Sequence, residues 1–245
     1  MTQQMHERRE MREACEIQRR LLPADLTLAP GVEIALNWRP ARDLGGDYFD
    51  VLRFSDGSIG LCIADVEGKG LPAALVMSSL QASVRALASP ETAPSALCER
   101  LNAIFCEDLP AERSISLFYA RLHPHNRRLT YANAGHLPPV VRRRVGTPER
   151  LSTGGVVLGR IPHRSYAEGE VVLEPGDALV LFTDGVTEAM NGAEEEFGEA
   201  RIAACACAAP QAGPAELQRR ILAEVAAHCG SKFGDDATLA VLEVA

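Results

Sequence analysis

Apolar positions along the chain follow two rhythms, and the places where one gives way to the other outline the elements. Over residues 6–22 apolar or small side chains recur at Met11, Ala14, Ile17 and Leu21 among Glu, Arg and Gln, the three-and-four spacing of one helix face, and Pro23 ends the run. A stripe this narrow suits packing against its own domain or the seam of a short coiled coil with a second chain. Strand-like runs follow over 32–38, 48–54 and 59–66, the last two joined by Ser55-Asp56-Gly57, which predicts a hairpin. After Gly70 the period becomes helical, with Pro72 at a first-turn position and apolar residues at Leu75, Val76, Leu80, Val84 and Leu87; a second helix is predicted over 95–109.

Strands return over 115–122, 129–133, 139–142, 166–173 and 178–183, helices follow over 199–208 and 215–228, and 238–244 reads as a last strand. Blocks of strands that alternate with pairs of helices lack the strand, helix, strand beat of a parallel sheet. The predicted class is α+β, with largely antiparallel sheets covered by helix pairs. The 245 residues show no internal repeat or low-complexity linker and suit one large domain, 23–245, with a short appendage, 1–22, as a linker or dimerisation helix.

Composition changes this picture little but narrows the function. Apolar residues make up 47% and charged residues 24% of the chain, near the averages for soluble globular proteins. A formal net charge of -8 disfavours nucleic acid, which is held through clustered Lys and Arg. The one basic run, Arg142-Arg143-Arg144, follows Val140-Val141 and precedes Gly146, and reads as a solvated strand end or hairpin tip. The cysteines, at 15, 62, 98, 106, 205, 207 and 229, are odd in number with no C-x-x-C pair, and read as reduced, mostly buried thiols. No apolar stretch approaches the roughly 18 residues a spanning helix needs, and the charged start of the chain has no apolar run behind it, so no membrane partner and a cytoplasmic location are expected.

The chemistry is carried by aspartates at the ends of apolar strands. They stand beside glycine in Gly45-Gly46-Asp47, Asp65-Val66-Glu67-Gly68-Lys69-Gly70, Thr183-Asp184-Gly185 and Gly234-Asp235-Asp236. A single Asp-Gly is a turn signal. Four instances flanking apolar runs are harder to explain as turns, because carboxylates gathered from distant segments repel one another unless cations lie between them. Oxygen-only ligands suit Mg2+ or Mn2+, and neither His123-Pro124-His125 nor Cys205-Ala206-Cys207 has zinc-site spacing.

The ordered segments GGDYFD (45–50), ADVEGKGLPAAL (64–75), NAGHLPP (133–139), LSTGGVVLG (151–159), LFTDGVTEA (181–189) and GDDATL (234–239) together resemble the metal-dependent protein phosphatase family (PPM, protein phosphatase 2C-like), and within it the bacterial SpoIIE/RsbU-type branch. The resemblance spans residue 17 to the C-terminus, and six motifs in order are far more specific than one glycine-rich loop. It implies an α-β-β-α sandwich whose metal site lies at one edge where the sheets meet. Asp65 would bridge two Mn2+ or Mg2+ ions, the Val66 carbonyl would bind one of them, and Asp47, Asp184 and Asp235 would complete the shells, with Asp236 as the alternative to Asp235. Two such cations lower the pKa of a bridging water, so that a hydroxide is available to attack phosphorus in line, and no side-chain nucleophile paired with a base is visible.

One departure stands out: where eukaryotic relatives have a histidine two residues after the bridging aspartate, this chain has Glu67. Glu67, a metal-bound water and His136 are the candidates for the general acid, with a turn-bonding role the alternative for His136. Lys69 and the helix start after Gly70 are expected either to face the substrate phosphate or, for Lys69, to be solvated. Thr187 and Glu188 are expected to shape the metal loop. The resemblance implies a serine/threonine phosphatase acting on a phosphorylated anti-sigma-factor antagonist in a partner-switching pathway, with residues 1–22 coupling to an upstream sensor protein or forming a homodimer. The competing readings are a regulatory interaction module with a switched-off metal site and a hydrolase of small phosphate esters.

Overall fold

The computed structural model describes residues 2–23, 25–26, 29–110, 112–230 and 233–244. Met1 and Ala245, the outer ends of the two expected segments, lie outside them. A helix α1, Thr2–Leu21, leads into β1, Val32–Arg39, and the hairpin β2, Tyr48–Arg53, with β3, Ile59–Val66. Helices α2, Leu71–Leu87, and α3, Pro94–Asp108, precede β4, Ile115–His123, β5, Arg128–Ala134, β6, Val140–Arg142, β7, Glu149–Arg150, β8, Gly154–Gly155, β9, Gly169–Val172, and β10, Ala178–Phe182. A single turn α4, Asp184–Thr187, helices α5, Glu199–Cys207, and α6, Pro214–Cys229, and strand β11, Ala237–Val244, complete the chain.

One sheet runs β1-β11-β10-β6-β7 and the other β2-β3-β4-β5-β8, with β9 also paired to β5. Among the described strand pairs, all are antiparallel except the two-residue contact of β5 with β8. The central strands are apolar throughout because both of their faces are covered. Leu179 and Leu181 of β10, with Ala240 and Leu242 of β11, meet Leu61, Ile63 and Phe118 of the other sheet, while Ala178, Val180, Phe182 and Val241 turn the other way onto Ile202, Leu217, Ile221 and Val225 of α5 and α6. In the same way Cys62, Ala64 and Val66 face Met77, Leu80, Leu97 and Phe105 of α2 and α3. Three apolar layers between four layers of elements make the α-β-β-α sandwich that the resemblance implies.

Three readings change. Leu75 is 64% exposed, because the buried stripe of α2 runs through Ala73, Met77, Leu80 and Val84, and a residue two positions from Ala73 falls on the opposite side of the helix. Arg142 is no solvated strand end. It retains 1% of its surface, and its guanidinium donates to the carbonyls of Ala209 at 2.8 Å, Ala212 at 3.3 Å and Gly176 at 2.8 Å, so the loop between α5 and α6 closes around a buried cation. All seven cysteines are free thiols, but only Cys62, Cys98 and Cys229 are buried, Cys207 being exposed.

Candidate active site

Antiparallel pairing brings the aspartate segments to one end of the sandwich. Tyr48 at the start of β2 lies opposite Ala64 near the end of β3, and Phe182 at the end of β10 lies opposite Leu239 near the start of β11. Asp47 and Asp65 therefore project from one sheet and Asp184, Asp235 and Asp236 from the other. Two threonines join the halves: the hydroxyls of Thr183 and Thr238 donate to Asp47 Oδ2 at 2.7 and 2.6 Å. The other oxygen, Asp47 Oδ1, is buried with no hydrogen-bond partner.

Asp65, Asp184 and Asp235 line an open cavity of about 180 Å³ with Val66, Glu67, Ser114 and Ser116. Asp65 and Asp184 also border an adjoining space of about 300 Å³ that includes His136 and Glu188. Burial raises the pKa of Asp65 to about 7, with repulsion from Asp184 and Asp235 adding to it, and that of Asp184 to about 6, with Glu188 and Asp235 adding to it. Burial, and then the charge of Asp65, also hold Asp47 well above the usual carboxylate range. Without cations between them these groups hold their protons to higher pH than ordinary carboxyls do.

The two candidates for the last carboxylate stand in different surroundings. Both oxygens of Asp236 accept backbone N–H groups, Oδ1 from Ala41 and Oδ2 from Gly46, each at 2.6 Å, so this side chain is already occupied in holding the strand ends together. Asp235 instead borders the cavity and pairs with Lys69 Nζ at 2.6 Å, and Lys69 also donates to the Gly234 carbonyl at 2.9 Å. Lys69 is thus neither simply solvated nor free to meet a phosphate while Asp235 holds it. Among the described residues, no three His, Cys, Asp or Glu side chains already stand in metal-holding positions. The donor set still fits a hard divalent cation: its members are oxygens, one buried oxygen has no partner, and Val66 borders the same cavity.

Several residues of the site escape a reading of aspartates alone. Thr183 and Thr238 lie inside the quoted motifs, beside the aspartates, but their role as donors to a third segment is a tertiary fact. The glycines act by close approach as much as by turning. A Cβ on Gly45 would stand 2.7 Å from Asp236 Oδ2, one on Gly46 would stand 2.9 Å from the Val66 carbonyl, and one on Gly185 would overlap the Asp236 carbonyl oxygen. Glu67 accepts from Ser114 Oγ at 2.7 Å and pairs with Arg160 at 3.1 Å. His136 shares a hydrogen with Ser116 Oγ at 2.8 Å, and burial pushes its pKa down to about 4, so the ring is neutral near pH 7 and poorly suited to donate a proton. Nε2 is buried with no hydrogen-bond partner. The turn around His136 is held by Asn133, whose Oδ1 accepts from His136 N at 2.7 Å. Thr187 Oγ1 donates to the Asp184 carbonyl at 3.1 Å, as a loop-shaping residue should, while Glu188 borders the groove itself.

Residues 55–245 match the family described as Stage II sporulation protein E (SpoIIE). The chain belongs to the SpoIIE family. Phosphoserine phosphatase RsbU of Bacillus subtilis (strain 168) is 35% identical over 176 residues, covering 71% of this chain and 52% of that protein. Among solved structures, the SiaA-PP2C domain of Pseudomonas aeruginosa superposes with a TM-score of 0.83 at 22% identity, covering 99% of this chain and 98% of that one. A Mycobacterium tuberculosis structure of RsbU and RsbW domains gives 0.75 at 27% identity, covering 91% of this chain and 61% of that one. The chain spans about half the length of the RsbU and RsbP proteins it matches. SpoIIE-family membership and the PP2C-type fold agree with the resemblance drawn from the six motifs. No described helix is long and apolar enough to cross a membrane.

Proposed function

We propose that this SpoIIE-family chain is a metal-dependent protein serine/threonine phosphatase, with residues 23–245 as the phosphatase domain and 1–22 as its N-terminal helix. The observation that carries the reading is the convergence of Asp65, Asp184 and Asp235 on one cavity, with the half-unpartnered Asp47 buried behind them. Asp47, Asp65, Asp184, Asp235 and the Val66 carbonyl would hold two Mn2+ or Mg2+ ions, and Asp236 would hold the strand ends that carry them. Bound cations supply a nucleophile from water near neutral pH and offset charge on the phosphoryl group. Asp65 and Asp184 are the catalytic carboxylates in this reading. Lys69 binds a phosphoryl oxygen once Asp235 has another partner, and Glu67, held by Ser114 and Arg160, lines the same cavity as a candidate general acid. The relative named phosphoserine phosphatase RsbU supports a phosphoserine as the group removed, and the resemblance of the six motifs extends this reading to a phosphoserine or phosphothreonine on an anti-sigma-factor antagonist in the cytoplasm of a bacterium.

One observation favours a second reading, a regulatory module with a switched-off metal site: Lys69 pairs with Asp235, a carboxylate that the first reading gives to a cation. Phosphate release from a phosphoserine-bearing antagonist protein separates the two. Turnover that requires Mn2+ and drops at least about a thousandfold in Asp65→Asn is expected for the enzyme, on the scale of losing a principal charge-stabilising group. A wild type that stays silent at saturating Mn2+ establishes the module instead.

A further inference from the structure

Helix α1 is polar along its length, and among its described side chains the one that is buried is a glutamine. Gln18 keeps 3% of its surface, whereas the adjacent Ile17 is 61% exposed. Its amide forms a two-way pair with one distant residue: Nε2 donates to the Gly45 carbonyl at 2.7 Å, and Gly45 N–H donates to Oε1 at 3.1 Å. On the same face Cys15 Sγ donates to the Asp43 carbonyl at 3.0 Å. At the end of the helix Gln81 Nε2 of α2 donates to the Leu21 carbonyl at 3.4 Å. Gly45 lies in a segment that is neither helix nor strand, where its backbone groups have no ladder partner, and one side-chain amide does for it what a neighbouring strand does elsewhere.

The residue so held lies at the base of the site. Gly45 packs on Asp236, the next N–H, of Gly46, donates to Asp236 Oδ2, and the residue after that is Asp47. Gly46 also lies against the Val66 carbonyl with no room for a side chain. A shift of Gly45 therefore moves Asp47 directly, moves the Asp235-Asp236 pair through the Gly46 hydrogen bond, and changes the fit against Val66. We propose that Gln18 is a positioning residue for the metal site, through which helix α1 fixes Gly45 and so the places of Asp47 and the Asp235-Asp236 pair. The proposal rests on the metal-site reading above and adds to it a residue from outside the 23–245 segment.

The test uses the full chain with Gln18→Met, which keeps the length and burial of the side chain and removes both hydrogen bonds. In metal-free protein, amide hydrogen exchange at Gly45, Gly46 and Asp47 is expected to quicken at least about tenfold while Val180 and Val241 in the central strands stay unchanged. The Mn2+ concentration for half-maximal thermal stabilisation, which needs no substrate, is expected to rise about tenfold, the scale of losing a residue that orients a ligand. A helix that merely stabilised the domain would lower the melting temperature with and without Mn2+ and leave that midpoint in place. Unchanged exchange at Gly46 and Asp47, or an unchanged Mn2+ midpoint, overturns the proposal. Should Gln18→Met not fold, Gln18→Glu, which keeps the acceptor for Gly45 N–H, is read in the same two ways. A wild type with no response to Mn2+ would sink the metal-site reading of the function, while the exchange data would still decide whether Gln18 holds the segment.

Discussion

At the scale of single residues, Asp47 shows how the site tolerates charge that its surroundings resist. One oxygen is held by two hydroxyls from the opposite sheet and the other has no partner, while burial and Asp65 push the group toward its neutral form. Replacing Thr238 with Val keeps the shape and removes one of those two donors. The expected result is a loss of about 1 kcal/mol, the range for a hydrogen bond to an uncharged group, in urea unfolding. A weakening of Mn2+ binding of about tenfold, followed by thermal shift, should accompany it. Close approach gives a second prediction. Gly185→Ala forces a methyl group onto the Asp236 carbonyl and should cost about 1 to 3 kcal/mol as overpacking and lower turnover, whereas Gly192→Ala, with open space around it, should stay within about 0.5 kcal/mol. The aspartates themselves were legible because a charge at the end of an apolar run conflicts with its surroundings. Gln18 was not legible, because a glutamine in a polar helix conflicts with nothing until the helix is docked.

At the scale of elements, legibility followed the length and contrast of the pattern. Strands β3, β10 and β11 read clearly as unbroken apolar runs, since both their faces meet cores, and the β2–β3 hairpin followed from Ser55-Asp56-Gly57, whose Asp56 Oδ1 accepts from Ser58 N at 2.9 Å. The two-residue strands β7 and β8 and the single turn α4 are too short for any period to show, and the strand expected over 166–173 contracts to Gly169–Val172. The burial of Arg142 does not show in the sequence for a related reason. Alternation puts Val141 between the sheets and Val140 and Arg142 on the helix side, where carbonyls of the α5–α6 loop and of the turn before β10, both distant in sequence, accept from the guanidinium. Arg142→Met keeps most of the stem and leaves those carbonyls without a donor. It should cost about 3 kcal/mol in urea unfolding. Arg144→Met, at an exposed position of the same run, should fall within about 0.5 kcal/mol.

For the whole molecule, the sandwich places the ends of two sheets together, and the acidic residues that end their strands make that junction unfavourable on its own. Asp65 and Asp184, with pKa values raised to about 7 and about 6, hold protons in the folded state that the unfolded chain releases near its ordinary carboxylate range of about 4. The unfolded state therefore binds fewer protons between about pH 4 and 7, and these two groups lower the stability of the metal-free protein as pH rises through that window. A divalent cation binds the deprotonated form and competes with those protons, so its stabilising effect must grow as pH rises. At pH 8, Mn2+ at a hundred times its dissociation constant should stabilise the fold by about 2.7 kcal/mol, which for a domain of this size is about 5 to 10 °C in melting temperature. At pH 5.5, below both values, the same Mn2+ concentration should give a clearly smaller shift. Melting curves in EDTA and in Mn2+ at the two pH values check this. In Asp65→Asn the dependence of the Mn2+ shift on pH should flatten, because the carboxylate with the higher pKa is gone while the fold that gathers the others remains. A Mn2+ shift of equal size at both pH values in the wild type would mean that the ion binds away from these buried carboxylates.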